Sequence, residues 1–497
     1  MLALLLRVSG LSHGLYNDEA YSLALSQRSF GHMLELFGYE PNGTPYSIVL
    51  WPLIRIFGSG EAWLRSPAVI AGTASVPALW WAARRFVTAN AALLAAGLLA
   101  INPMAVWYGE DARSYSFVVL AACLSLGALS RALSRESTRW MWAGYVAAMT
   151  LLAYSEIFAA PLLLVAQALI ARRAGRDGVR LWLRSLLAVL VCCVPLLIAA
   201  SIARGRRDAL YWLTRPNRGI VKLALQEFTA GFSGFSAVRW VTLVAAVALV
   251  AAAAASSWRV TGERARRERD RNALAVALCW GVLPGVLLFA IAFVEPVFWP
   301  RYAILTLPGL CLLLALAAER LWRSRRGVAT SAVCLGAVVL AAGAADARQR
   351  TAVQEDWRPV AAWLRAARTP GEPVIVDNAS VLPALGYYYR PFRAADGDLV
   401  VQEWHDRLLP AGFVGFKDRG GFGTVPNGPP SVASFRSLAR RGDGTVWMVF
   451  SEVVSELQGR PWEGAAVAWA RAHCRVEVRE ALEVWAVRAS GCDAGRR

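Results

Sequence analysis

Two adjacent carboxylates open the first polar stretch of this chain, Tyr16-Asn17-Asp18-Glu19-Ala20-Tyr21-Ser22. They follow an apolar run and so stand at the lip of a membrane helix, where a carboxylate is costly unless it reaches solvent or acts there. One of them is suited to be a general base that takes the proton of an acceptor hydroxyl. The pair also fits a solvated helix end whose acidic first turn complements the backbone dipole. A second acidic pair lies in Trp107-Tyr108-Gly109-Glu110-Asp111-Ala112-Arg113-Ser114-Tyr115. Arg113 among these acids can hold them ionised and position them, or grip a phosphate; a local salt bridge at a helix start is the plainer reading. A third group, Glu295-Pro296-Val297-Phe298-Trp299-Pro300-Arg301-Tyr302, frames Arg301 with aromatics at the end of an apolar run. A lipid phosphate would lie there, and so would an ordinary interfacial anchor. Glu156 stands in a fourth place, at the break between two short apolar runs.

The segment Arg204 to Glu227 carries Arg206, Arg207, Arg215, Arg218 and Lys222. Ile220, Leu223, Ala224 and Phe228 recur at helical spacing, which predicts an interfacial amphipathic helix that either binds anionic lipid or shows a solvated face. No metal ligand set is assigned: His13, His32, His405 and His473 lack ligand spacing. Paired carboxylates could hold a hard divalent cation, although adjacent residues rarely both point inward. Asn42-Gly43-Thr44 matches a glycosylation sequon and is read as a chance match.

The elements that must position these groups are long apolar runs. The 497 residues are 57% hydrophobic and 18% charged, a balance that calls for transmembrane helices. Runs long enough to span, or nearly so, lie at about 63–83, 89–107, 114–134, 140–155, 157–171, 182–203, 237–257, 273–294, 302–321 and 328–345. The first segment, Met1 to Gly10, is shorter than the roughly 20 residues a span needs. It shows no signal-peptide cleavage site and reads as the truncated end of a helix that begins upstream. Counting it gives about eleven helices. Tyr46 to Phe57 is too short to span and is expected to lie in the outer interface.

Loop charge sets the orientation. With the N-terminus inside, the inner loops are Arg84-Arg85, Arg131 to Arg139, Arg172 to Arg184, Arg259 to Arg271 and Arg320 to Arg326, all basic. The acidic groups described above then fall on the outer side. So does everything after Asp346. The net charge of +18 is carried almost wholly by Arg, with Lys222 and Lys417 the only lysines. It therefore reads as topology and a GC-rich genome, with no nucleic-acid partner. The expected location is a bacterial plasma (inner) membrane, with the catalytic loops and the tail extracytoplasmic.

The tail, 347–497, changes character. An amphipathic helix at Trp357 to Ala367 leads to a strand at Pro373 to Asp377 and a helix ending in Tyr387-Tyr388-Tyr389-Arg390. A Gly/Pro-rich loop at Gly412 to Pro430 follows, then a strand at Thr445 to Ser451, a helix at Gly464 to His473 and a hairpin. This predicts a small α/β domain. Of eight cysteines, six lie in apolar runs, whereas Cys474 and Cys492 flank the hairpin and are a disulfide candidate in an oxidising compartment. The expected domains are thus 1–346 in the membrane, with outer loop 16–62 bearing the catalytic carboxylates, and 347–497 outside it.

Taken together, these pieces resemble the GT-C glycosyltransferases that use polyprenyl-phosphate sugars, the broad group of protein O-mannosyltransferases and aminoarabinose transferases. The resemblance covers most of the membrane half. It is carried by Asp18-Glu19 and by Leu53-Ile-Arg-Ile-Phe57-Gly58 to Trp63-Leu-Arg65-Ser-Pro67. It is carried also by Tyr108-Gly-Glu110-Asp111-Ala-Arg113-Ser-Tyr115, by Pro300-Arg301-Tyr302, and by Asp356-Trp357-Arg358 at the start of the tail. It implies a multi-pass helical GT-C fold. It implies that Asp18 is the catalytic base of an inverting transfer from a polyprenyl-phosphate-linked sugar to an extracytoplasmic protein, lipid or glycan. Arg301, with Arg113, would balance charge on the leaving phosphate. Glu19, Tyr108, Glu110, Asp111, Glu156 and Tyr302 complete the expected substrate site. The chain departs from many relatives in having Gly43-Thr44-Pro45 for His-Pro-Pro and Glu156 where a His is frequent, and both bear on which sugar is used. The competing readings are a transporter or flippase, and a membrane scaffold presenting the tail. A transporter would place ionisable groups near mid-membrane on broken helices, and here they collect at helix ends.

Overall fold

The computed structural model describes residues 1–37, 42–204, 215–229, 244, 264–324, 336, 355–369, 371–377, 382–389, 400–402, 407–408, 432–441, 444–451, 465–481 and 484–492. The chain forms two compact units. The first comprises Met1–Leu11, Leu34–Ile202 and Leu213–Arg350; the second comprises Ser12–Met33, Ala203–Trp212 and Thr351–Arg497. The first acidic stretch is thus grouped with the tail.

The first unit is helical. It begins with α1 (Leu2–Val8). The acidic stretch of the second unit supplies α2 (Asn17–Ser26), and α3 (Phe30–Leu36) leads back. Then follow α4 (Thr44–Phe57), α5 (Glu61–Ala83), α6 (Ala89–Ile101), α7 (Pro103–Trp107), α8 (Tyr115–Ala132), α9 (Arg139–Ser155), α10 (Ala159–Arg173), α11 (Gly175–Cys192), α12 (Val194–Arg204) and α13 (Arg218–Thr229). The last part holds α14 (Arg264–Gly281), α15 (Leu283–Ile291), a 3-10 helix at Pro300–Thr306 and α16 (Leu307–Ser324). Helix α8 is central, packing on α5 and α9, while α16 packs on α6 and α14. Small residues make the closest approaches, as lipid-embedded helices favour. A Cβ on Gly281 would stand 2.5 Å from the Gly309 carbonyl carbon, so α14 and α16 meet backbone to backbone. Outward, Leu183, Leu187, Leu190 and Val191 of α11 and Leu197 and Ile198 of α12 are exposed apolar side chains, a surface suited to hydrocarbon.

Among the described residues three helical stretches are long and apolar enough to cross a membrane: Tyr115–Ala132, Asp270–Ile291 and Pro300–Trp322. A fourth counts if α11 and α12, bent by 54° at their junction, form one span. The run expected at 182–203 is therefore broken near Cys193. The runs at 140–155 and 157–171 form α9 and α10, of 17 and 15 residues. The runs at 237–257 and 328–345 lie outside the described residues. The amphipathic helix expected after Arg204 is α13, whose Arg218 and Lys222 are exposed, as is Arg215 just before it; Arg206 and Arg207 are outside the described residues.

The second unit contains a six-stranded sheet: β1 (Val374–Asp377), β2 (Val400–Gln402), β3 (Arg407–Leu408), β4 (Val446–Ser451), β5 (Arg475–Ala481) and β6 (Val484–Ser490). Their spatial order is β3-β2-β1-β4-β6-β5. Strand β1 runs parallel to β2 and β4, with Ile375 opposite Val401 and Met448; β4 and β6 are antiparallel, with Met448 opposite Val487. Strand β4 is buried along its whole length, as a central strand covered on both faces must be. Helices α17 (Trp357–Ala367), α18 (Leu382–Tyr389), α19 (Val432–Arg441) and α20 (Ala465–His473) complete it. Asp356 caps α17 by accepting the Arg358 N–H at 3.1 Å, and Trp357, Val360, Ala361 and Leu364 form its buried stripe. The expected Gly/Pro-rich loop at 412–430 is outside the described residues. Cys474 and Cys492 are joined as a disulfide that brackets the β5–β6 hairpin.

Closing a loop with a sequence separation of 18 should contribute about 3 kcal/mol through the unfolded state. Cys492→Ser, or reduction of the full chain, is expected to speed proteolysis of the tail at least tenfold while leaving the helical unit intact. Unchanged cleavage would show that the bond does not hold the hairpin.

Candidate functional site

The first unit gathers several of the predicted residues around one helix break. Helix α9 ends at Ser155, and Glu156 caps it in an extended conformation before α10 begins. Glu156 is 3% exposed. It accepts from Asn42 Nδ2 at 3.4 Å, while Asn42 Oδ1 accepts the Ile157 N–H at 3.1 Å. Burial pushes this carboxyl up to about 7, against the opposing effects of the Phe158 N–H and the Arg113 and Arg301 guanidinium charges. Next to Asn42, Gly43 adopts φ +81°, a left-handed conformation in which glycine escapes the Cβ penalty. This caps α4 and holds Asn42 at the break.

Tyr108 closes α7 and is buried. Its hydroxyl donates to Glu227 of α13 at 3.4 Å, and its ring meets Tyr115 edge-on at 4.8 Å. Burial, and then the Glu227 charge, hold this phenol well above its usual range, while Arg301 acts in the opposite sense and Asp111 adds to the rise. Arg301 follows Pro300 at the start of the 3-10 helix, which packs on α8, α13 and α16. Its guanidinium carbon lies 5.7 Å from the Tyr115 ring centroid and 5.9 Å from that of Tyr302. Arg301 thus acts electrostatically on both Tyr108 and Glu156, and Arg113 acts on Glu156. Tyr108, Asp111, Arg113, Glu156, Arg301 and Tyr302 therefore share one neighbourhood of cations, acids and aromatic rings. Such a set can hold an anionic group, with one carboxyl able to exchange a proton near neutrality.

Glu110 serves a different neighbour. A Cβ on Gly10 would collide with its carboxylate, and its charge acts on Arg7. Arg7 is fully buried and was not among the expected site residues. It donates to Ala3 O at 2.9 Å, Ala100 O at 3.3 Å and Ala105 O at 3.0 Å. The chain breaks between α6 and α7 at Asn102-Pro103, where Asn102 caps α7 by accepting the Ala105 N–H at 3.0 Å. That break leaves the last carbonyls of α6 without helical partners, and Arg7 takes one of them. Gly109 makes room, since a Cβ there would stand 2.8 Å from Arg7 Cδ. The signal for Arg7 was present as one cation in an apolar run, which marks a function by default. Asn42 and Glu227 were also missed as site residues.

Asp18 and Glu19 lie in the second unit, in the first turn of α2. Glu19 is 1% exposed and accepts the Tyr16 N–H at 3.4 Å, whereas Asp18 is partly exposed. Among the described residues no three His, Cys, Asp or Glu side chains converge as a metal site would require.

Residues 44–198 match the family model described as dolichyl-phosphate-mannose-protein mannosyltransferase. That match contains Tyr108 to Arg113 and Glu156, and leaves Asp18, Glu19 and Arg301 outside it. No curated protein sequence matches the chain. Among solved structures, the fold is similar to apo ArnT from Cupriavidus metallidurans, with TM-score 0.60 and 16% identity over 97% of this chain and 95% of that one. It is similar to the same protein bound to undecaprenyl phosphate, with TM-score 0.58 and 16% identity over 100% and 98%. It is similar also to the archaeal oligosaccharyltransferase AglB from Archaeoglobus fulgidus in complex with an inhibitory peptide and a dolichol-phosphate, with TM-score 0.50 and 13% identity over 98% and 73%. The resemblance drawn from the sequence is thus met by the fold of these structures and, over residues 44–198, by the family model.

Two outcomes follow from this geometry. The folded Glu156 pKa, about 7, lies above its ordinary 4.5, so the folded chain holds a proton that the unfolded chain releases. The resulting stability is full below pH 4.5 and is lost as pH rises through 7. Glu156→Gln should remove this slope, leaving wild type the less stable by about 3 kcal/mol at pH 8. Thermal unfolding in detergent from pH 5 to 8 reads the difference, and parallel curves would refute the burial argument. Arg7→Met should strip charged donors from the Ala100 and Ala105 carbonyls and remove a cation on which the Glu110 charge acts, costing about 3 kcal/mol. The same unfolding assay should show a lower midpoint than wild type at every pH.

Proposed function

We propose that this protein is a membrane glycosyltransferase that moves a sugar, mannose or one similar to it, from a polyprenyl phosphate to an extracytoplasmic acceptor. The observation that carries this reading is the shared neighbourhood of Arg301, Arg113, Asp111, Glu156 and Tyr108 at helix ends, in a chain with this fold. A polyprenyl phosphate is an anion on a long apolar stem. It needs guanidinium groups at the rim of an apolar helical unit, and aromatic rings around them.

In the proposed reaction the acceptor oxygen attacks the anomeric carbon as Asp18 takes its proton. The bond from that carbon to the phosphate oxygen breaks on the opposite face, so the configuration inverts. The electron pair leaves with the polyprenyl phosphate, and Arg301, aided by Arg113, stabilises the charge that grows there. Tyr108, Asp111, Glu156 and Tyr302 bind or shape the sugar and acceptor. About eleven spans carry the chain through a bacterial plasma membrane, with the acidic loops and the tail outside.

Membranes containing the wild-type chain, given radiolabelled polyprenyl-phosphate sugars beginning with mannose, should transfer label to an endogenous acceptor. Asp18→Asn, at equal expression, should lose at least about 100-fold in rate, the scale of a general base. A mutant that keeps the full rate removes Asp18 from the mechanism. Absence of transfer from every polyprenyl-phosphate donor by wild type removes the donor class.

A further inference from the structure

The first turn of α2 is held by groups that come from the tail. Three successive backbone amides leading into that turn each have a side-chain acceptor. The Leu15 N–H donates to the Tyr388 hydroxyl at 2.7 Å. The Tyr16 N–H donates to Glu19 within the same turn, and the Asn17 N–H donates to Glu355 Oε2 at 3.1 Å. The Tyr16 and Asn17 amides are ones that an α-helix cannot satisfy internally, and Leu15 lies just before them. Glu355 therefore caps α2 from 338 residues away in sequence, with a carboxylate at the positive end of the helix dipole.

The cap is itself fixed. Glu355 is 5% exposed. Its Oε2 also accepts the Trp357 Nε1–H at 3.3 Å, and its Oε1 accepts from the Ser451 hydroxyl at the end of β4. The loop before α2 is gripped alongside. Arg358 makes a forked pair with Asp356, at 2.8 and 2.9 Å, and its remaining nitrogen donates to Ser12 O at 3.1 Å. A Cβ on Gly14 would stand 2.8 Å from Asp356 Oδ1, so the loop runs directly over that pair. Tyr388 is steadied in turn, since its carbonyl accepts from Arg365 at 2.9 Å, and α18, which bears it, packs on α2.

We infer that Glu355 is a positioning residue for Asp18: with Tyr388 and the Asp356–Arg358 fork it sets the first turn of α2, and so the reach of the Asp18 carboxylate. This rests on the reading of Asp18 as the base. It gives the tail a catalytic task, because the acidic helix is seated on tail residues within one compact unit. A general base must lie within hydrogen-bond reach of the proton it takes, and a displacement of about 1 Å can cost about 100-fold in rate. Glu355 itself touches backbone and tail side chains; it acts through the position of Asp18.

The test uses the full-length protein in nanodiscs, with polyprenyl-phosphate mannose as the probe donor, and two readouts on monodisperse protein. Glu355→Ala should raise amide exchange in residues 15–22 at least about tenfold, since it removes the acceptor of a helix-terminal amide. It should also lower kcat about 30-fold with the donor KM within about twofold, the pattern of a displaced catalytic group. Glu355→Gln keeps an acceptor oxygen and should retain kcat within about fivefold. Tyr388→Phe, which loses only the hydroxyl, should loosen the same peptide and lower kcat about fivefold; it covers the case in which Glu355→Ala fails to fold. Wild-type exchange in residues 15–22 in both Glu355→Ala and Tyr388→Phe would overturn the clamp. Loosened exchange with unchanged kcat would overturn its catalytic role. If Asp18→Asn keeps its rate, the base reading fails, while the exchange data still decide the clamp.

Discussion

A carboxylate withdrawn from water must be given donors or a countercharge, or else it keeps its proton. This constraint shapes both units. Glu156 is met by Asn42, the Phe158 N–H and two guanidinium charges. Glu355 is met by the Asn17 N–H, the Trp357 indole and the Ser451 hydroxyl. Glu227 receives the Tyr108 hydroxyl, and Glu19 receives the Tyr16 N–H. Burial still wins at Glu156 and Glu355, whose pKa values both rise. In Glu355 the nearby Asp18 charge adds to that rise.

Helix ends are the natural source of such donors. A continuous helix uses its amides and carbonyls internally, so a chain that must hold buried ions breaks its helices where the ions lie. The break after Ser155 offers amides to Glu156. The start of α2 offers amides to Glu19 and Glu355. Arg7 shows the opposite polarity, taking carbonyls at the break between α6 and α7. The same logic explains why apolar runs that look continuous in sequence appear as shorter helices: the interruptions at Asn102, Glu156 and Cys193 fall inside or between them.

Groups that announce themselves by type were legible in the sequence. The Asp18-Glu19 and Glu110-Asp111 pairs, Arg301 after Pro300, and the two cysteines outside the apolar runs all stand out against their surroundings. Helix α17 was legible to the residue, because its Asp356 cap and apolar stripe are local. What remained hidden depends on contacts distant in sequence. Glu355 is one acid in a polar tail until its partners at Asn17 and Ser451 are known. Asn42 looked like part of a chance sequon, yet its amide joins Glu156 to the start of α10. Glu227 sat at the end of a segment read for its basic charge and its apolar helical stripe, and its partner Tyr108 lies 119 positions away. Adjacent acids also proved separable, with Glu110 coupled to Arg7 and Asp111 to Tyr108.

The same arrangement bears on the choice between a transferase and a carrier. A carrier works through two states of comparable free energy, so ionisable groups on its pathway must exchange partners as it alternates. Here Glu19, Glu156, Glu355 and Arg7 meet backbone groups at helix ends, and a change of state that broke these contacts would cost about 1–3 kcal/mol each. Catalysis on a lipid head group has the opposite need. It gains when charged groups are already oriented before the substrate arrives, because no reorganisation is then required as charge moves to the leaving phosphate. A network whose members are held by helix termini and glycine-made space has that property. It favours a fixed constellation acting on an anion over a gate that must open and close.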